Sequence, residues 1–164
     1  MFSQGDKAFY PTHGVGIIEK IEKRRVTDVE EHFYVIRIID SGMTVTVPLS
    51  KAKEVGLRPL IGKEMVEKVF ENLSKKTEPK NINYRHLPWN RRQRDYMAKL
   101  KTGSIFDIVE IFKELTILQK QKQLSFGEKK LYEQVTKLLV KELAYCNGCS
   151  EDAIFSKINS LISS

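Results

Sequence analysis

The chain is short of the residues on which most protein chemistry depends. It has two cysteines and three histidines in 164 residues, which leaves little material for a metal centre or a catalytic thiol. Cys146-Asn-Gly-Cys149 is a single C-x-x-C pair, with no second pair or His-x-x-x-His to complete a zinc site. Cys149 precedes a predicted helix, a position that lowers a thiol pKa, but the pair follows a helix end and not the strand of a thioredoxin-like site. A turn with two incidental cysteines is the plainer reading, and two cysteines do not make a disulfide framework. His13, His32 and His86 are scattered, without an acid at motif spacing. Gly14-Val-Gly16 lacks the third glycine of a dinucleotide loop, and no serine sits in a nucleophile elbow. No enzyme, cofactor or metal is expected. No apolar run approaches the ~18–20 residues of a membrane span. Met-Phe-Ser-Gln-Gly-Asp lacks the basic-then-apolar order of a signal peptide, so a cytoplasmic protein is expected.

What the chain does have is a concentration of positive charge. The formal net charge is +7. Residues 1–79 hold 13 Lys/Arg against 12 Asp/Glu, and residues 102–164 hold 8 against 8. The excess lies in residues 80–101, where 7 basic residues face only Asp95. Clustered base of this kind is the footprint of a polyanionic partner. The same stretch carries the single tryptophan, Trp89. Pro88 suits the first turn of a helix and Gly103 its left-handed end. At about 100° per residue, Trp89, Tyr96 and Leu100 share one face with Met97 at its edge. Arg91, Arg94 and Lys101 point the other way, with Arg92 and Lys99 on the flanks. One face then docks on protein and the other meets phosphate. The alternative is a solvated basic face with its tryptophan in the core.

The remaining chain divides in two. Residues 5–58 alternate as strands do: Lys7–Tyr10, Val15–Ile21, Phe33–Ile39 and Met43–Val47, with Pro48 closing the last. About five short strands in so few residues suit a small, bent SH3- or Tudor-like β-barrel. From residue 59 onward the periods are helical. Met65, Val69 and Leu73 mark a helix over 62–74, and residues 78–87 a loop. Ser104-Ile-Phe-Asp107 and Ser125-Phe-Gly-Glu128 have capping-box spacing. Ile105, Ile108, Phe112 and Leu115 follow the first box, and Leu131, Val135 and Leu138 the second. Asn147-Gly148 ends that helix, and Ser150 opens one carrying Ile154, Ile158 and Leu161. The expected fold is therefore α+β, with a barrel over 1–58 and a compact domain of about five helices over 59–164.

Three segments carry a resemblance to the CarD/CdnL family of bacterial transcription regulators. They are Gly5-Asp-Lys-Ala-Phe-Tyr-Pro-Thr-His-Gly-Val-Gly16, then Met43-Thr-Val-Thr-Val-Pro48 with Val55-Gly-Leu-Arg58, and Trp89-Asn-Arg-Arg92 with Lys99-Leu-Lys-Thr-Gly-Ser104. Leu124-Ser-Phe-Gly-Glu-Lys-Lys130 and Lys141-Glu-Leu-Ala144 continue the third. The resemblance implies that the N-terminal domain binds the β subunit of RNA polymerase, at Arg24, Arg25, Thr46 and Pro48. It implies that the helical domain contacts promoter DNA at the upstream edge of the melted region, through Trp89, Arg91, Arg92 and Arg94. The tryptophan would wedge into the minor groove, a known use of apolar side chains. The protein would act as a monomer on the open complex. Two positions depart from the family pattern: Thr46 stands where some members have arginine, and Gln93 where members tend to have tyrosine. A nucleic-acid-binding module or an adaptor acting without polymerase are the rival classes.

Overall fold

The computed structural model describes residues 1–75 and 87–163, and the expected loop over 78–87 lies outside them except for Leu87. Two compact units divide the chain, Met1–Leu60 and Ile61–Ser164.

The first unit is one antiparallel sheet of five strands. These are β1 (Lys7–Tyr10), β2 (Gly14–Val26), β3 (Val29–Ile38), β4 (Thr44–Pro48) and β5 (Arg58–Pro59), in the order β4-β3-β2-β1-β5. The alternation in β3 puts Tyr34, Ile36 and Ile38 on one face, where they pack with Ala8, Ile18, Val47, Ala52 and Leu57. A β-bulge at Glu19 shifts the β2–β3 register between Ile18 and Lys20. The bulge explains why Ile18 and Ile21, an odd number of residues apart, both pair across from this face, at Ile36 and Tyr34. β2 and β3 are longer than their apolar patterns suggest, because they continue as a hairpin arm of charged residues. Lys23–Glu30, at 3.2 Å, is one of its exposed pairs.

Gly16 is where two backbones come close. A Cβ there would lie 2.6 Å from Ile36 Cγ2 and 3.3 Å from the Arg37 carbonyl oxygen.

The second unit is helical among its described residues: α1 (Lys63–Ser74), α2 (Trp89–Lys101), α3 (Ile105–Gln121), α4 (Phe126–Asn147) and α5 (Glu151–Ser163). Most of each expected stripe is buried: Val69 and Leu73 from α1; Ile105, Ile108, Phe112 and Leu115 from α3; Leu131, Val135 and Leu138 from α4; Ile154 and Ile158 from α5. Met65 and Leu161 are only half-buried, and Val66, beside Met65, is the residue that α1 turns into the core. The Phe112 and Tyr132 rings stack at 5.5 Å between centroids, joining α3 to α4. Polar groups act as ties. Glu142 accepts the Ile61 N–H at 3.0 Å, and Lys113 Nζ donates to the Asn72 carbonyl at 2.6 Å at the end of α1.

The two capping-box motifs end differently. At Ser125 the reciprocal bonds form: its Oγ accepts the Glu128 N–H at 3.3 Å, and Glu128 accepts the Ser125 N–H at 2.9 Å. Ser104 is also an N-cap, but its side chain makes no cap bond. There Asp107 turns to the Thr102 hydroxyl, which also accepts the Ser104 N–H at 3.2 Å. The tight turn through Gly103, at φ 75°, brings Thr102 into that position.

Gly16→Ala is expected to destabilise the first unit by ~1–3 kcal/mol, the usual cost of overpacking. A denaturant titration of the variant followed by the sheet's circular dichroism checks this, and an unchanged midpoint would show that Ile36 yields freely.

Candidate nucleic-acid interface

α2 starts on Pro88, whose carbonyl accepts the N–H groups of Arg91 and Arg92 at 3.0 and 3.2 Å. Its faces follow from the helical period. Tyr96 and Leu100 are buried, Met97 is half-buried, and Arg91, Arg94 and Lys101 are exposed on the opposite side. Lys99, on a flank, pairs with Glu110 of α3 at 3.0 Å.

Arg92 is not on an open flank. It is only 7% exposed, and its Nη2 donates to Glu128 Oε2 at 3.1 Å, inside the unit. The expectation that it faces phosphate with Arg91 and Arg94 is corrected to this extent: the guanidinium is turned inward. The reason lies in the helical period. Arg92 is three residues after Trp89, about 60° from it around the helix, inside the ≳100° stripe that a surface helix buries. A capping-box glutamate on α4 waits there to neutralise it.

Glu128 gathers several donors. One oxygen takes Arg92; the other takes the Ser125 N–H at 2.9 Å, with Lys122 Nζ at 3.5 Å. Burial alone would raise the Glu128 carboxyl. The Ser125 backbone and side chain, then Arg92 and Lys122, outweigh burial and hold it below the usual carboxylate range. Burial also works against the charge on Arg92. The Tyr96 hydroxyl and the Glu128 carboxylate overcome it and raise the guanidinium above its ordinary value.

Trp89 sits at the overhanging first turn of α2 and is half-buried. Its ring is 6.3 Å from that of Tyr96, and the Arg92 guanidinium lies 5.5 Å from its centroid. The indole also lies against the backbone of Gly127, in the first turn of α4. The next residue back, Phe126, is 81% exposed, with Lys130 Nζ 5.6 Å from its ring. Neither Phe126 nor Gly127 is visible as part of a site from spacing. The motif read as a helix start, and only packing brings that start to Trp89.

In the first unit, Arg24, Thr46 and Pro48 lie on one face of the sheet, and Arg25 on the other. The cross-strand register carries this: Pro48 is opposite Phe33 and Thr46 opposite Val35, while Phe33 is opposite Glu22, two residues before Arg24. Arg24 Nη2 pairs with Glu22 at 3.0 Å, and its guanidinium lies 5.3 Å from the Phe33 ring. β4 pairs only with β3 and forms an edge of the sheet. Cys146 and Cys149 are not joined in a disulfide, and no group of three or more His, Cys, Asp or Glu suited to a metal occurs among the described residues. No helix among those residues is long and apolar enough to cross a membrane.

Comparison with known proteins places the chain. Residues 2–61 match the CarD-like/TRCF RID domain, and residues 68–159 match the CarD C-terminal domain. The chain belongs to the CarD/CdnL family. A Bacillus subtilis (strain 168) relative, "Putative transcription factor YdeB", is 33% identical over 159 residues, covering 95% of this chain and 99% of that protein. The solved structure "CdnLNt from Myxoccoccus xanthus" is 43% identical where it aligns, over 38% of this chain and 89% of its own, with a TM-score of 0.33. As a CarD/CdnL protein the chain is a transcription factor, and its α+β architecture, a sheet followed by helices, is that of the two matched domains.

The ion pair makes a forecast with a definite sign. Arg92→Ala strands a buried carboxylate, so it is expected to cost ~3–5 kcal/mol at neutral pH. Because the folded Glu128 carboxyl is depressed, its contribution is complete above the ordinary carboxylate range. It is lost as pH falls through the depressed folded value. Thermal melts of wild type and Arg92→Ala should therefore differ most at neutral pH and converge in acid. A gap that does not change with pH would assign the loss to packing.

Proposed function

We propose that this CarD/CdnL protein binds the β subunit of RNA polymerase through Met1–Leu60 and, as a monomer, contacts promoter DNA at the upstream edge of the bubble through its helical unit, stabilising the open complex. The observation that carries the DNA half is the division of α2: Arg91, Arg94 and Lys101 are exposed opposite the buried Tyr96 and Leu100, and a half-exposed Trp89 leads the helix. Arg91 and Arg94 meet phosphates and position the unit without reading sequence. Trp89 supplies the minor-groove wedge beside an unstacked step. Arg92 serves this interface from inside, by fixing the turn that carries Trp89.

The polymerase half draws on the match of residues 2–61 to the CarD-like/TRCF RID domain. Arg24, Thr46 and Pro48 share a face that runs out to the edge strand β4. An edge strand offers main-chain groups for strand addition, and neighbouring side chains supply specificity. Arg25, on the opposite face, has the weaker claim. Tethering by this interaction raises the local concentration of a short basic helix whose own grip on duplex is small.

Removal of one phosphate-binding side chain should lower the salt slope of DNA affinity by ~0.9. Arg91→Ala and Arg94→Ala are expected to show this on any duplex sequence, measured by titration at several salt concentrations. Equal slopes for wild type and the double variant would leave α2 a merely solvated face. Trp89→Ala is expected to fold, at less than the ~3–5 kcal/mol of a core aromatic truncation. It should keep its hold on polymerase and fail to prolong the open complex. A melt paired with open-complex dissociation rates on one promoter decides, and a wild-type lifetime would remove the wedge.

A further inference from the structure

Gly127 occupies the second helical position of α4, between an exposed Phe126 and the buried Glu128. Glycine is a poor choice there on local grounds. Gly127 is absent from the chain's positive-φ glycines, so its backbone does not call for the left-handed region, and helix propensity favours alanine. What excludes alanine is Trp89. A Cβ on Gly127 would lie 2.6 Å from Trp89 Nε1, 2.7 Å from Cε2 and 3.0 Å from Cζ2. The nearest atoms are the pyrrole nitrogen, the ring-fusion carbon beside it and the adjoining benzo carbon. The neighbouring residue fixes the other helix: Glu128 binds Arg92, three residues along α2 from Trp89. The first turn of α4 therefore holds α2 by one residue and gives the indole its place by the residue before.

We propose that Gly127 is a positioning residue for Trp89: the missing side chain is the seat of the indole, and it sets the direction in which the ring is presented to DNA. The proposal rests on the wedge reading above for its consequence in transcription, but the seat itself is a property of the free protein. A methyl group in the seat displaces the ring, because the ring is the movable partner and the helix backbone is not.

The test is Gly127→Ala, alone and combined with Trp89→Ala. Trp89 is the single tryptophan, so its emission reports the seat directly. Gly127→Ala is expected to shift that emission to the red and to change its quenching by iodide, with no DNA present. On polymerase, it should shorten the open-complex lifetime measurably, though by less than the roughly 5- to 150-fold expected for loss of a base–aromatic stack in Trp89→Ala. In the Trp89→Ala background the same change should have no effect on lifetime and should not lower the melting temperature, since the clash has gone. A helix position without this role predicts the reverse: unchanged emission, a slightly raised melting temperature and an unchanged lifetime. Unchanged emission in Gly127→Ala overturns the proposal, as does an equal loss of stability with and without the indole. A shifted emission, with Trp89→Ala itself harmless to the open complex, upholds the seat and rejects the wedge.

Discussion

Everything that α2 is proposed to do depends on one arginine and one carboxylate taken out of water together. Arg92 and Glu128 are both nearly inaccessible, and they meet at 3.1 Å. Such a pair contributes little net stability against an apolar substitute, because desolvation consumes most of the attraction. Its effect is on geometry. A carboxylate that must satisfy Arg92, the Ser125 N–H and Lys122 at once tolerates few arrangements, so the start of α2 and the start of α4 are registered on each other.

The same capping box thus has two duties. Locally it satisfies N–H groups at the start of α4 that would otherwise lack partners, as any long helix needs. At a distance its glutamate neutralises a charge from another helix, and the preceding Gly127 leaves room for the ring of Trp89. The basic helix can then be strongly charged on its outer face without its inner face becoming a liability. Arg91 and Arg94 stay in water, where charge is well solvated, and Arg92 is answered within the fold. This division explains how α2, with five basic residues and one acid, still folds as part of a packed unit.

The sheet also uses position to settle where its charges go. Glu19 inserts one residue into β2 and turns the strand so that Ile18 before it and Ile21 after it address the same face, Ile18 in the core and Ile21 exposed beyond it. Beyond the bulge the two long strands carry paired charges out into solvent. Arg24 leaves this arm on the face of Thr46 and Pro48, and its charge is shared with Glu22 and shaded by Phe33. The arrangement suits a surface for a protein partner more than one for a polyanion, since Lys23, Arg24 and Arg37 each have a glutamate beside them.

Much of this was legible in the amino-acid order, because the signals concerned are local. Alternation marks four of the five strands and misses the two-residue β5, the 3.6-residue period marks every described helix and most of its buried stripe, and the Ser125–Glu128 spacing marks a true capping box. The outward direction of Arg91 and Arg94 and the inward direction of Tyr96 follow from the same period. Three features escaped that reading. The extra residue at Glu19 breaks the alternation it would be read from. The box at Ser104 looked like the one at Ser125, but the turn at Gly103 offered Asp107 a nearer hydroxyl. Arg92 appeared as one more base in a basic run. Sequence by itself determined which side of each helix is apolar, because that depends on residues three or four apart. Only the tertiary structure decided which buried charge meets which, and that Trp89 rests on Gly127, because Arg92 and Glu128 stand 36 residues apart and are joined by packing alone.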